Sequence, residues 1–535
     1  EPLPEVALSP LTFKELSDRL GYNGDEERLT EEAQIFSQRI SAGYLPSAWK
    51  TNCPTIHNPN LCLVLDNYFN EHKKVFSGSR TTRRNTVKID PKNPAPMQAV
   101  DFNFLLPRLP EWSFSKFKEY ASNSLKHQPC PRNFSLALAH KLEIHFGTQP
   151  EAYEIYRSLN NHALECVQPA DSWAEYTLIR AALFEYWQEN YKTASEFLKR
   201  AINTESQREP SRALFWLIQS LEKSGEHQEA TTWRNHLAEE HPISWHSIYN
   251  KSQVNIDPME AFRLRPTYPD LFESSNAMIT LRFYWLQTLF ELDRKSDSVK
   301  RFGEFFVRDL DPSIEPGFAQ YIARSFDRNA YHRLQIFTLS RVFSKQPKKM
   351  SRETLRLLFP KPFFTELDNN SPDLDTSILL GLARQESGFD PIAQSTADAR
   401  GLLQILPSTA RSISRGIKNE ELFDHTRNIE IGAKFLLRMI RTHNGSVEKA
   451  LAAYNAGPGN VRKWEQRYGA IQNTQLFLDF IPFRETRDYV PSILRNAFWY
   501  HALFPDIRSQ LTESTTSSEL LKNVLSVSRS PSTQK

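Results

Sequence analysis

Two stretches of this chain align with each other at an offset of 36 residues, and that spacing limits the possible fold more than any other feature. Ala181-Ala182-Leu183-Phe184-Glu185-Tyr186-Trp187 runs into a polar turn, Gln188-Glu189-Asn190, and then into Tyr191 to Ala201. Ala213-Leu214-Phe215-Trp216-Leu217 leads to a second turn, Ser224-Gly225-Glu226, and then to His227 to Ala238. The turns coincide at that offset, and so do Ala194 and Ala230. Such a period suits antiparallel helix pairs stacked as a solenoid. The repeat is degenerate and cannot be traced far outside these segments. Trp187, Trp216 and Trp233 are expected to pack between layers; a sugar-stacking surface is the alternative for some of them.

Composition agrees with helices. Only 17 of 535 residues are glycine, too few for a fold built on tight hairpins. Basic and acidic residues nearly cancel, 66 against 63, for a net charge of +3. This balance argues against a nucleic-acid-binding solenoid and against attraction to an anionic membrane. Lys73, Lys74, Arg80, Arg83 and Arg84 form a local basic cluster, read as a solvated loop face or a contact for anionic wall polymer. No apolar run reaches the roughly 18 residues a membrane-spanning helix needs. The start, Glu1-Pro2-Leu3-Pro4, reads as a mature N-terminus after leader removal, although a truncation would look the same. Cys53, Cys62, Cys130 and Cys166 allow three full pairings, which the sequence leaves open; Cys53 and Cys62 bracket a Pro/Asn-rich loop that a bridge could close, with Cys130 and Cys166 as a second bridge, and unpaired buried thiols are the alternative. No CxxC pair or His-x-x-x-His accompanies them, so neither metal nor cofactor is expected.

The expected class is all-α. An α-superhelical, helix-pair scaffold occupies 1–290 and a helical linker domain 291–362, ending at Phe359-Pro360-Lys361-Pro362. A compact, mostly helical domain occupies 363–508. Residues 509–535, rich in Ser and Thr, read as a disordered tail.

Within the compact domain Glu386 stands out. Ile378, Leu379, Leu382 and Ala383 recur at helical spacing, and Glu386 continues their stripe. Burial disfavours the charged carboxylate, raises its pKa and prepares it as a general acid. A structural Glu paired with an Arg is the alternative. Asp390 and Asp398 lie in polar, loop-like sequence and read as structural. Gly401 to Pro407 reads as a turn into a short extended segment with Leu402, Gln404 and Leu406 on one side. Gln404 can donate and accept hydrogen bonds, to a sugar or within the loop. Asn428 is expected to cap the following helix. Val447, Ala450, Leu451 and Tyr454 share one face of the next.

Four blocks follow in order: Ala383-Arg384-Gln385-Glu386-Ser387-Gly388-Phe389, Gly401-Leu402-Leu403-Gln404-Ile405-Leu406-Pro407, Ala452-Ala453-Tyr454-Asn455-Ala456-Gly457-Pro458-Gly459, and Ile481-Pro482-Phe483-Arg484-Glu485-Thr486-Arg487-Asp488-Tyr489-Val490. Together they resemble the soluble lytic murein transglycosylases, in particular the large, ring-shaped members with a goose-lysozyme-like catalytic domain. The resemblance implies a lysozyme-like domain at 363–508 and a periplasmic, monomeric enzyme acting on peptidoglycan glycan strands. It implies one glutamate, Glu386, acting first as acid and then as base to leave 1,6-anhydromuramic acid ends. It also implies substrate-binding roles for Ser387, Ser395, Gln404, Tyr454, Asn455, Glu485 and Tyr489, with Tyr454 holding Glu386 or substrate. Leu406 stands where the family often has Met. Left open at this point are a core role for Tyr454, an ion pair of Glu485 with Arg484 or Arg487, a hydrolysing muramidase on the same fold, and a catalytically weak binding scaffold.

Overall fold

The computed structural model describes residues 113–127, 152–166 and, apart from short internal gaps, 174–504, with a few isolated positions besides. Every regular element among them is helical; two isolated antiparallel bridges, Gln394 with Arg400 and Arg400 with Ile405, are the β pairing. The expectations for the chain start, the basic cluster, Cys53, Cys62, Cys130, the side chain of Cys166 and the tail at 509–535 lie outside the described residues. No described helix is long and apolar enough to cross a membrane. The described residues divide into two compact units. One combines those up to Arg265 with those from Lys361 onward; the other holds those between Pro266 and Pro360.

The first unit opens with α1 (Phe114–His127), α2 (Ala152–Cys166), α3 (Ala174–Trp187), α4 (Tyr191–Ala201), α5 (Pro210–Ser224), α6 (His227–Glu240) and α7 (Trp245–Gln253). The 36-residue offset corresponds to the hairpins α3–α4 and α5–α6. Gly225, at φ +83°, ends α5: its N–H and that of Glu226 reach back to the carbonyls of Glu222 and Leu221, a left-handed cap that glycine adopts without a Cβ penalty. Ala194, Leu198 and Ala201 form the buried stripe of α4, and Ala230 is fully buried on α6. Trp216 is buried and Trp187 stands edge-on to Phe480 at 5.4 Å, so both pack between layers.

The second unit contains α8 (Ala277–Leu292), α9 (Asp297–Asp309), α10 (Pro316–Arg328), α11 (His332–Lys345) and α12 (Arg352–Leu358). Residue 290, the boundary read from the sequence, falls inside α8. Ser351 caps α12 in a reciprocal box with Thr354, and Gln320 donates to the Thr354 hydroxyl at 2.7 Å.

The first unit resumes with α13 (Phe364–Asn369), α14 (Thr376–Glu386), α15 (Pro407–Ile413), α16 (His425–Thr442), α17 (Val447–Ala456), α18 (Pro458–Tyr468), α19 (Thr474–Phe480) and α20 (Arg484–Leu503). α14 packs closely on α20. Gly381 makes this possible: a Cβ there would stand 2.9 Å from the Ile493 carbonyl. Asp375 caps α14 through the Ser377 N–H at 2.8 Å and also meets His501 Nε2 at 2.9 Å, fixing the helix ends. α3–α7 are tied to this core by polar bonds. Trp245 Nε1 donates to Gln475 at 2.6 Å, and Trp499 Nε1 to the Ile243 carbonyl at 3.2 Å.

Candidate active site

Glu386 is the last residue of α14, and its helix explains its position. Ile378, Leu379, Leu382 and Ala383 are all buried beneath it, so the same stripe carries the carboxyl to the edge of the core. The side chain is half-buried rather than sealed. Because Gly381 lets α14 approach α20, the Tyr489 hydroxyl reaches and donates to Glu386 Oε1. Burial pushes the Glu386 carboxyl up to about 8; the Tyr489 hydrogen bond pulls downward, and the Glu485 charge adds to the rise. A carboxyl at that value keeps its proton at neutral pH, as a general acid must.

The loop facing Glu386 is built on backbone constraints. Ser387 is buried, and its hydroxyl lies 3.1 Å from the Ala383 carbonyl and 2.8 Å from that of Leu402. It therefore fastens the loop to the end of α14. Gly401, at φ +76°, has no room for a Cβ, which would fall 2.1 Å from the Leu422 carbonyl and 2.4 Å from Asn428 Nδ2. Gln404 adopts φ +48°. The expected one-sided alternation of Leu402, Gln404 and Leu406 is thereby broken. Leu402, Leu403 and Ile405 are buried, whereas Leu406 is 39% exposed, because the left-handed residue reverses the side-chain sequence. Both donors of the Gln404 amide are taken by the carbonyls of Ala393, at 3.0 Å, and Gly401, at 2.9 Å. Its Oε1 is left as the acceptor.

Asn428 is not the cap of α16. Asp424 is, accepting from the Arg427 N–H at 2.9 Å. Asn428 sits one turn further in, fully buried, and donates to the carbonyls of Arg400 and Leu422, both at 2.8 Å, while accepting from the Leu403 N–H at 2.7 Å. It organises the 400–404 loop, and sequence reasoning missed that. The available signal was Asp424 itself: a preferred cap residue four positions earlier displaces Asn428 from the capping position.

Ser395 closes the neighbouring turn. Its hydroxyl accepts from the Ala399 N–H at 3.0 Å, and its own N–H donates to the Ala399 carbonyl at 2.9 Å. Asp398 pairs with Arg400 at 2.9 Å, which holds its carboxyl below the usual range together with Gln394. Asp390 accepts from the Ile392 N–H at 3.1 Å. Both aspartates are thus engaged in the loop.

Tyr454 reaches the site from α17, but its hydroxyl donates to the Leu403 carbonyl at 2.8 Å rather than to Glu386. Burial and the nearby Glu386 charge push this phenol well above its ordinary value, and the same causes act on Tyr489. Asn455 Nδ2 donates to Glu485 Oε1 at 3.2 Å, and Asn455 Oδ1 accepts from Thr486 at 2.6 Å. Glu485, exposed in the first turn of α20, is therefore held by Asn455. Arg487 is buried, donating to the Ile481 carbonyl at 3.0 Å, and Arg484 faces Glu209 and Asp488. Among the described residues no cluster of three His, Cys, Asp or Glu side chains is arranged to hold a metal ion.

Residues 366–477 match the family described as the transglycosylase SLT domain. Over 140 residues the chain is 34% identical to the soluble lytic murein transglycosylase of Escherichia coli K12, covering 25% of this chain and 22% of that protein. Over 136 residues it is 36% identical to the corresponding protein of Salmonella typhimurium, covering 24% and 21%. The chain thus spans under a quarter of the length of the curated relatives it matches. Among solved structures, the soluble lytic transglycosylase SLT70 of Escherichia coli shares a TM-score of 0.55 at 16% identity, over 95% of this chain and 77% of that one. The lytic transglycosylase Slt of Pseudomonas aeruginosa shares 0.55 at 20%, over 91% and 74%. At such identities the likeness concerns the fold. It agrees with the all-α class read from the sequence, a helix-pair scaffold followed by a lysozyme-like domain.

Proposed function

We propose that this chain, a member of the soluble lytic murein transglycosylase family, cleaves the β-1,4 bond between N-acetylmuramic acid and N-acetylglucosamine in peptidoglycan and leaves 1,6-anhydromuramic acid ends. The observation that carries this reading is Glu386, a half-buried carboxyl raised to about 8 and held by Tyr489. Most glycosidases divide acid and base work between two carboxylates. Here Asp390 and Asp398 are occupied in the loop, and Glu485 is exposed and bonded to Asn455. One residue therefore takes both parts.

Glu386 gives its proton to the bridging oxygen as the bond from C1 to that oxygen breaks. The acetamido carbonyl oxygen of the muramic acid shields the cationic C1. The Glu386 carboxylate then removes the C6 hydroxyl proton while the C6 oxygen bonds to C1. The leaving sugar keeps the first proton, Glu386 regains one, and no water is consumed. Gln404 serves this sequence with its free Oε1, which accepts from an N–H or hydroxyl of the substrate. Asn455 and Glu485 line the glycan path. Ser387, Ser395 and Tyr454 act at one remove by fixing the loop through backbone bonds. The enzyme is placed in the periplasm, where its substrate lies.

Digestion of purified peptidoglycan followed by mass spectrometry tests the reading. Anhydro ends, lighter by about 18 Da per cleavage than hydrolysed ends because no water is added, are expected. Uptake of oxygen from ¹⁸O-labelled water into the new ends would instead establish a hydrolase.

A further inference from the structure

A polar cavity whose lining does not include Glu386 lies in the same compact unit. It has a volume of about 220 Å³ and is walled by α5, α7 and α20. On α20 it takes Arg484, Asp488, Ser492 and Arg495. These recur at helical spacing on the stripe beside that of Glu485 and Tyr489. The cavity is smaller than the roughly 300–1,000 Å³ of drug-sized sites, which limits an occupant to a group about the size of one or two amino acids.

Its arginines are unequally paired. Arg212 is spoken for: it meets Asp479 at 2.7 Å and Asp488 at 3.0 Å, and it also pairs with Glu209. Arg484 stands 3.9 Å from Glu209 and 3.7 Å from Asp488. Arg208 and Arg495 line the same cavity, yet among the described residues neither forms an ion pair with a carboxylate. Arg208 is exposed; its backbone N–H donates to Glu175 Oε2 at 2.6 Å, while its guanidinium acts on that carboxyl only through space. Arg495 spends Nε and one terminal nitrogen on the neutral Asn496 amide, at 3.2 and 2.9 Å. Burial and the neighbouring Arg384 push its guanidinium down to about 10, the mark of a cation short of counter-charge. Four arginines face Glu209, Asp488 and, behind Arg212, Asp479, with the buried Glu175 carboxyl, raised to about 7, beside Arg208; among the described residues the guanidinium groups of Arg208 and Arg495 are bonded to no carboxylate.

His246 forms a neutral part of the wall. It is 6% exposed, lines the cavity and meets Ser211 through Nδ1 at 3.2 Å, while its buried Nε2 has no hydrogen-bond partner among the described residues. Trp245 and Pro491 supply apolar wall beside these donors.

We propose that this cavity binds the carboxylate of a short peptide or amino acid, received by Arg208 and Arg495, with its small apolar part against Trp245 and Pro491. Glu209 and Asp488 in the lining would repel a phosphate dianion more than a monoanion. The inference is independent of the lyase reading, because binding is measured without glycan.

Titration calorimetry of the full chain with four probes tests it: alanyl-alanine, N-acetyl-alanine, alanyl-alanine amide and inorganic phosphate. Alanyl-alanine and N-acetyl-alanine should each bind at one saturable site, and the amide, lacking the carboxylate, should not. R208Q, at an exposed position that leaves the core untouched, and R495Q should each weaken binding at least tenfold, and Glu386→Gln should not change it. Absence of saturable binding, equal binding of the amide, tighter binding of phosphate, or binding indifferent to both arginine substitutions would overturn the proposal.

Discussion

Two acids in one compact unit, Glu386 and Asp479, start from the same physical penalty and end on opposite sides of neutrality. Burial pushes each carboxyl up. Glu386 has one phenol donor and a like charge nearby, so the penalty wins and the group stays protonated to about 8. Asp479 is fully buried but meets Arg212 Nε at 2.7 Å and accepts from Trp216 and Gln475, both at 2.8 Å. Arg180 also donates to its backbone carbonyl at 2.7 Å. There the partners win, and the carboxyl falls below its ordinary range. Burial alone does not make an acid catalytic. A shortage of donors does, and the shortage is at the half-exposed end of α14 rather than at the packed junction of α3, α5 and α19.

The strongest way to break this contrast is Glu386→Gln. Turnover on peptidoglycan should fall by about 10³–10⁴-fold, the upper range for a general acid, with the circular dichroism spectrum unchanged. Near-normal turnover would remove Glu386 from the chemistry. In the wild type kcat/KM should decline as pH rises through about 8, where the acid loses its proton. Stability has its own sign. The folded value lies above the ordinary 4.5, so this group's contribution is complete below 4.5 and is lost as pH rises toward about 8. The melting temperature of Glu386→Gln relative to wild type should therefore climb across that window.

Asp479→Ala probes the other side of the comparison. It strands Arg212, Trp216 and Gln475, and loss of one partner of a buried pair costs about 3–5 kcal/mol. Urea unfolding should show that loss, while turnover per folded molecule stays much closer to wild type than in Glu386→Gln. The pH sign is reversed. With the folded value depressed, stability from Asp479 is present above 3.8 and lost as pH falls through the folded value. Acid unfolding of the variant should be correspondingly less steep.

The two acids were not equally legible. Glu386 could be read from local sequence, because one stripe on one helix predicts its burial. Asp479 could not: its partners Trp216 and Arg212 lie more than 260 residues away, and no local period links α5 to α19. Helix pairs and turns such as Ser224-Gly225-Glu226 were readable for the same local reason. The loop was not. Gln404 was placed in an extended segment because alternation was assumed, and the left-handed backbone that breaks it is set by contacts from Asn428, on a different helix. Tyr454 and Tyr489 were both seen as candidates, but which phenol meets Glu386 depends on the approach of α14 to α20 through Gly381.

Tyr489→Phe sharpens the contrast by making Glu386 poorer still in donors. The hydrogen bond lowers the carboxyl's pKa, so its loss should raise it, and the alkaline limb of the pH–rate profile should move upward from about 8. The rate at the optimum should drop about tenfold, the scale of one hydrogen bond to a charged group. A limb that moves downward would mean that Tyr489 does not donate to Glu386 in solution.

Glu485→Gln carries the smallest expected effect and separates two roles. If Glu485 is a second catalytic carboxylate, its amide should cost orders of magnitude in rate. If it acts on Glu386 only through its charge, the sign follows from like-charge repulsion: removing the charge relieves the protonated acid and lowers its pKa. The alkaline limb should then move slightly downward with a small change in rate. Because Glu485 is exposed and held by Asn455 through its retained Oε1, the amide can keep that bond, and solvent ions screen what the charge contributes. Raising the salt concentration on the wild type should accordingly move the limb in the same direction as the substitution, and should move it hardly at all in Glu485→Gln.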